Sequence, residues 1–414
     1  MSDATPPTAD AADLIDSRRG WGVVAVAFVA MYTVFGVAYS FGAFFEPMAE
    51  EFGASPGATS AVFSITAFLY FLLGSVSGVA VDRYGPRRVL LTGAVVMGGG
   101  LVLTGQVGSL WVGYLTYGFG VGIGVACGYV PMVAVVSGWF QQRRGAALGV
   151  AVSGIGFGTV ATAPLAAALI DRYGWRTTYV VFGLASAAIL AACAVAVRPP
   201  PTSAAMETDL RSLRDAVRTR SFRALYLSTF LLSLALFVPF VFLVPFAEDR
   251  GIGAVAAAAL VGVIGGSSIA GRLVIGPLAD RVGHLVAFRL CFLLIGASFA
   301  LWLVGDAYAV LVAFAVVLGV GYGGFVALSP AVIAGLFGTD GLGGLIGVSY
   351  TSAALGGLIG PPIAGVVIEA TSHRTAIAAS MVIGLGSWAA LHGVRQDRVR
   401  PTPAPGPTAT RTRA

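Results

Sequence analysis

Residues 265–283 read GGSSIAGRLVIGPLADRVG and put one arginine, Arg272, deep inside an otherwise apolar helix. A cation far from the end of a membrane helix is strongly unfavourable, so ionisable residues there are rare and mark substrate or ion pathways. The same stretch closes on Gly276-x-x-x-Asp280-Arg281-x-Gly283, which recurs near the start of the chain as Gly78-x-x-x-Asp82-Arg83-x-Gly85. A candidate site and an internal repeat therefore share one segment.

Around this segment, the 414 residues are 57% hydrophobic and only 11% charged, with a mean hydropathy of +0.88. An average globular domain carries about 25% charged residues, so this composition indicates an integral membrane protein. The apolar stretches are about 20 residues long, the length a helix needs to cross some 30 Å of hydrocarbon. Twelve spans are predicted, at 21–45, 58–81, 89–107, 111–140, 145–170, 177–197, 224–247, 254–279, 285–304, 308–337, 343–368 and 375–394. Residues 198–223, with Pro199-Pro200-Pro201 and several arginines, form the one long charged connection. The expected organisation is a tail over 1–20, a six-helix bundle over 21–197, the connection over 198–223, a second bundle over 224–394 and a tail over 395–414. The opening residues are polar and acidic with no basic run ahead of an apolar core, so no cleavable signal is expected.

The net charge of +6 comes from 25 arginines and no lysine. With both termini cytosolic, 20 arginines fall on cytosolic segments and four on the other side (Arg172, Arg176, Arg250 and Arg374), leaving Arg272 on neither. That asymmetry follows the rule that positive charge collects on cytosolic loops, and it explains the basicity without nucleic acid. Cys127, Cys193 and Cys291 each fall in a span without disulfide or metal spacing, and no cofactor is implied.

A shift of 198 residues superimposes Gly78 on Gly276, Asp82 on Asp280, Arg83 on Arg281, Gly85 on Gly283, Gly145 on Gly343, Gly149 on Gly347, Pro164 on Pro362 and Arg176 on Arg374. One offset serving eight pairs predicts an all-α protein of twelve transmembrane helices in two pseudo-symmetric six-helix bundles.

At these residues the sequence resembles the major facilitator superfamily. Its signature loop is similar to Gly78-Val-Ala-Val-Asp82-Arg83-Tyr-Gly85-Pro-Arg87-Arg88, with a degenerate second copy at Asp280-Arg281. An acid at a helix end, arginines beside it and glycines permitting close approach suit a cytosolic latch between the halves. Within the superfamily the chain resembles the monocarboxylate transporter and oxalate–formate exchanger group, through three passages. The first is Asp16-Ser-Arg-Arg-Gly20-Trp21, with arginines replacing the family's second glycine and first aromatic. The others are Gly138-Trp139-Phe140-Gln-Gln-Arg143-Arg144-Gly145 and Val244-Pro245-Phe246-Ala247-Glu-Asp-Arg250-Gly251.

Arg272 lies eight residues before Asp280, about 12 Å from the helix end and near the bilayer midplane, where transporter sites lie. Its planar fork suits a carboxylate, and the resemblance implies that role. No Asp or Glu occurs at mid-span to pair with it. One turn earlier stands Ser268, where proton-coupled relatives of the family carry an aspartate, and their first-helix lysine aligns with Tyr39. Tyr129, Tyr322 and Tyr350 offer hydroxyls near mid-span, although tyrosines in spans also serve as packing residues. The reading is a secondary transporter of small organic monoanions such as lactate, pyruvate, formate or oxalate-like anions. It would work in the plasma (inner) membrane by anion exchange or proton-linked symport, with the bilayer as its surroundings. The alternatives are an exporter of amphipathic or drug-like compounds and a non-transporting membrane sensor.

Overall fold

The computed structural model describes residues 15–201, 216–338 and 342–394, all helical apart from short connections. Most of the predicted tails, and residues 202–215 of the connection, lie outside the described residues. In chain order the helices are α1 (Arg18–Tyr39), α2 (Phe41–Phe52), α3 (Pro56–Tyr84), α4 (Pro86–Thr104), α5 (Leu110–Gly113), α6 (Gly120–Gly128), α7 (Val130–Trp139), α8 (Arg144–Ala196), α9 (Arg220–Leu236), α10 (Val238–Glu248), α11 (Ala254–Val282), α12 (His284–Val304), α13 (Tyr308–Phe337), α14 (Leu342–Ala370) and α15 (His373–Ala390). A π-helical turn over Tyr114–Phe119 joins α5 to α6.

Among the described residues, eleven stretches are long and apolar enough to cross a membrane, where the sequence predicts twelve. The difference is local. The fifth and sixth predicted spans run together as the 53-residue α8, which turns at Gly174, where φ is 77° and ψ 158°. No loop intervenes because one glycine in a conformation closed to most side chains makes the whole turn. Gly85 (φ 79°) and Gly283 (φ 93°) do the same between α3 and α4 and between α11 and α12. The repeated motif thus ends each time on a glycine that the backbone requires.

Several long spans are broken at their centres. Pro131 lacks the N–H that the Cys127 carbonyl would accept from, and the helix breaks at Tyr129, between α6 and α7. Pro239 has the same relation to Ala235, and the break falls at Phe237. A third break, at Ser40, follows directly on Tyr39.

The offset of 198 reappears in the packing. A Cβ on Gly158 would meet the Tyr32 carbonyl, and one on Gly356 would lie 2.8 Å from that of Phe230, its repeat partner. The halves then meet along two helix pairs. In α8 and α11, a Cβ on Gly156 would lie 2.6 Å from the Gly265 carbonyl. In α3 and α14, one on Gly57 would lie 3.0 Å from Val366, and one on Gly357 3.1 Å from Ala67. Small residues here let the backbones come together. Phe45 and Phe242, 5.2 Å apart, add a contact between α2 and α10.

Candidate functional site

Arg272 reaches its position through close packing of α11 on α13. A Cβ on Gly271 would run into the Val320 carbonyl, and one on Gly323 into that of Ser268, so the two helices touch through backbone beside the arginine. The guanidinium crosses to the other half, where Nη1 donates to the Val152 carbonyl of α8 at 3.1 Å. Its Nε and Nη2 are buried and have no hydrogen-bond partner. Among the described residues no carboxylate pairs with it. A buried donor left unmade is unfavourable by about 1–3 kcal/mol, and more when charged, and two atoms of this fork are in that position.

A narrow cavity of about 40 Å³ lies between the halves, and Arg272 is not part of its wall. Its wall takes Tyr39, Tyr70 and Tyr129 from the first half and Tyr322 and Tyr350 from the second. Tyr39, Tyr129 and Tyr322 also lie within electrostatic reach of the guanidinium. The helix breaks explain part of this placement: Tyr39, Tyr129 and Phe237 stand at interruptions, where side chains leave the regular helical face. Tyr39 closes the cavity toward the packed seam. Its hydroxyl is 2.8 Å from that of Tyr322, and its ring stacks on Phe240 at 4.4 Å. The remaining wall is largely apolar, with Phe35, Phe71, Phe237 and Phe325.

The predicted tyrosines Tyr39, Tyr129, Tyr322 and Tyr350 are therefore brought together in the wall, and Arg272, outside the wall, interacts electrostatically with three of them. Ser268 does not join them. It is 1% exposed, its hydroxyl donates to the Gly265 carbonyl at 2.7 Å, and it takes no part in the cavity wall. Tyr70 is absent from the sequence-based candidates, yet it lines the cavity with a buried hydroxyl that makes only a weak interaction with Tyr39. Its signal is the repeat itself, because the 198-residue offset sets it opposite Ser268. Ser233, also in the wall, has an unpartnered hydroxyl and carries no comparable mark in the sequence.

The residues expected to latch the halves stand apart. Asp82, Arg83, Arg87, Arg88, Asp280 and Arg281 are all exposed. Among the described residues only Asp280 has an ion-pair partner, His284 at 3.7 Å in the same half. Gly276 has open space where Gly57, at the opposite end of the bundle, is in close contact. The halves are thus in close contact at the end carrying Gly57 and Val366, while among the described residues no ion pair joins them at the arginine-rich end.

Two of the three family-like passages dock on each other at that arginine-rich end. The Asp16 carboxylate accepts from the backbone N–H groups of Gln142 at 3.1 Å, Arg143 at 3.2 Å and Gln141 at 3.4 Å. Those bonds, Gln142's first, hold the Asp16 carboxyl below the usual carboxylate range. Trp21 packs edge to face on Phe140 at 5.3 Å. In the third passage, Arg250 donates to Asp306 at 2.7 Å and lies over the Phe246 ring. That bond, above all, depresses the Asp306 carboxyl.

The family model described as "Major Facilitator Superfamily" matches residues 24–310 and 268–413. The rat protein named "Monocarboxylate transporter 3" is 31% identical, covering 95% of this chain and 84% of its own. Rat "Monocarboxylate transporter 13" is 32% identical, covering 87% and 85%. The fold is also that of a bacterial homolog of the human lysosomal transporter Spinster, solved in an inward-facing and unoccupied conformation. That match has a TM-score of 0.74 and 15% identity over 93% of this chain and all of that one.

Proposed function

The chain belongs to the major facilitator superfamily, with monocarboxylate transporters among its relatives, and we propose that it carries small organic monoanions across the cell membrane by alternating access. The carrying observation is the buried Arg272 fork, with two donor atoms unpartnered, within electrostatic reach of three tyrosines of the central cavity wall. A carboxylate can take both donors in parallel and neutralise the charge, while tyrosine hydroxyls donate to the remaining lone pairs of the same two oxygens. The phenylalanine walls suit a short carbon tail.

Twelve crossings follow if the limbs of α8 on either side of Gly174 each span the bilayer. Both termini then lie in the cytosol with the arginine-rich end. An empty carrier must carry an uncompensated buried cation through its closed state, whereas the loaded one is nearly neutral. Anion exchange, or symport with a proton held elsewhere than at Ser268, is therefore faster than return of the empty carrier.

The phenylalanine walls alone would equally suit an exporter of amphipathic compounds, and the guanidinium with two unpartnered donors supports the carboxylate reading over it. Thermal unfolding of the purified chain separates the two, because ligands stabilise by mass action. Lactate, pyruvate, formate or oxalate should raise the midpoint and hydrophobic cations should not. The reverse pattern would reject the carboxylate reading.

A further inference from the structure

On the outer face of the first half, α3, α4 and α6 enclose a groove of about 270 Å³ apart from the central cavity. Leu73, Val76 and Ala80 of α3 and Ile123 of α6 form its walls, and Arg88 and Thr92 of α4 stand at one end. The flanking surface is apolar and open, with Val79 68% and Val95 71% exposed. On helices of spanning length, such a surface meets acyl chains. The groove runs from Leu73 to the end of α3 at Tyr84, about 16 Å of helix rise and half the thickness of the hydrocarbon core.

The charge at its mouth is one-sided. Arg83, Arg87 and Arg88 are exposed, and among the described residues no acid forms an ion pair with any of them, neighbouring Asp82 included. The second half lacks the feature, since the offset of 198 sets Leu285 opposite Arg87 and Val286 opposite Arg88. The Thr92 hydroxyl donates to the Arg88 carbonyl at 3.0 Å, which leaves the Arg88 guanidinium at the head of an apolar groove of one-leaflet depth to match an anionic headgroup on an acyl chain.

We propose that this groove binds one anionic phospholipid, its phosphate on the Arg88 guanidinium and an acyl chain along Leu73, Val76 and Ile123.

The test is native mass spectrometry of the full chain from micelles containing equal amounts of dioleoylphosphatidylglycerol and dioleoylphosphatidylcholine. The wild type should retain the anionic lipid about five-fold over the zwitterionic one. Arg88→Gln should bring the ratio near one. Ala80→Phe, which fills the groove and keeps the arginines, should also lose the bound lipid, while Arg88→Lys should keep most of the preference. Inorganic phosphate at millimolar concentration should not displace the lipid. Equal retention of both lipids by the wild type, or a preference surviving either Arg88→Gln or Ala80→Phe, would overturn the proposal. Displacement by phosphate alone would reduce the groove to an anion site and would overturn the lipid assignment as well.

Discussion

Arg272 was legible in the sequence because a lone cation in an apolar run contradicts its surroundings. What its fork touches was not, because the Val152 carbonyl lies 120 residues away and on the other half. The tyrosine hydroxyls differ in the same way. Tyr39 and Tyr322 share a bond at 2.8 Å, whereas Tyr70 makes only a weaker interaction with Tyr39. Tyr70→Phe should therefore leave the thermal midpoint of the empty protein almost unchanged while weakening carboxylate binding by about five-fold, a lost hydrogen bond of about 1 kcal/mol. An unchanged affinity would remove Tyr70 from the site. Tyr39→Phe keeps the stack on Phe240 but breaks the bond to Tyr322. It should destabilise the closed seam by about 0.5–1.5 kcal/mol, read as faster labelling of cysteines placed behind it.

At the scale of elements, the family-like passages were visible as motifs, but their mutual docking was not, since periodicity says nothing of which loop meets which. Asp16 ties the start of α1 to the turn between α7 and α8. Its carboxyl is depressed in the folded state, so its contribution is present above the ordinary carboxylate value of about 4 and fades as the pH falls through the lower folded value. The midpoints of wild type and Asp16→Asn should differ at pH 7 and converge below about pH 4. A gap that widens on acidification would contradict this linkage. The glycines of the α8 and α11 crossing make a sharper case. A side chain on Gly156 must displace Ile269 or the Gly265 backbone, so Gly156→Leu should destabilise by about 1–3 kcal/mol and slow transport. Wild-type stability and rate in that variant would show that the two helices need not touch.

For the whole molecule, the repeat was readable because glycines, a proline and charges recur at one spacing. It is also structural, since Gly158 and Gly356 make equivalent contacts. The eleven-for-twelve discrepancy came from Gly174, where one residue replaces the expected loop and hydropathy cannot distinguish a hinge from a break. The latch motif could not reveal that its charges stand apart in this conformation, because a sequence records the groups and not the state. Alternating access requires the seam between α3 and α14 to open. A disulfide between G57C and V366C should stop transport, and reductant should restore it. Full rates in the cross-linked protein would mean that the halves move otherwise.

The central claim is that Arg272 holds a substrate carboxylate, and counterflow in proteoliposomes tests it most directly. With labelled lactate, pyruvate, formate and oxalate outside and the same anion unlabelled within, the wild type should accumulate label of at least one. Arg272→Ala and Arg272→Lys, folded by thermal unfolding, should accumulate none. Uptake by both variants at the wild-type rate would contradict the account.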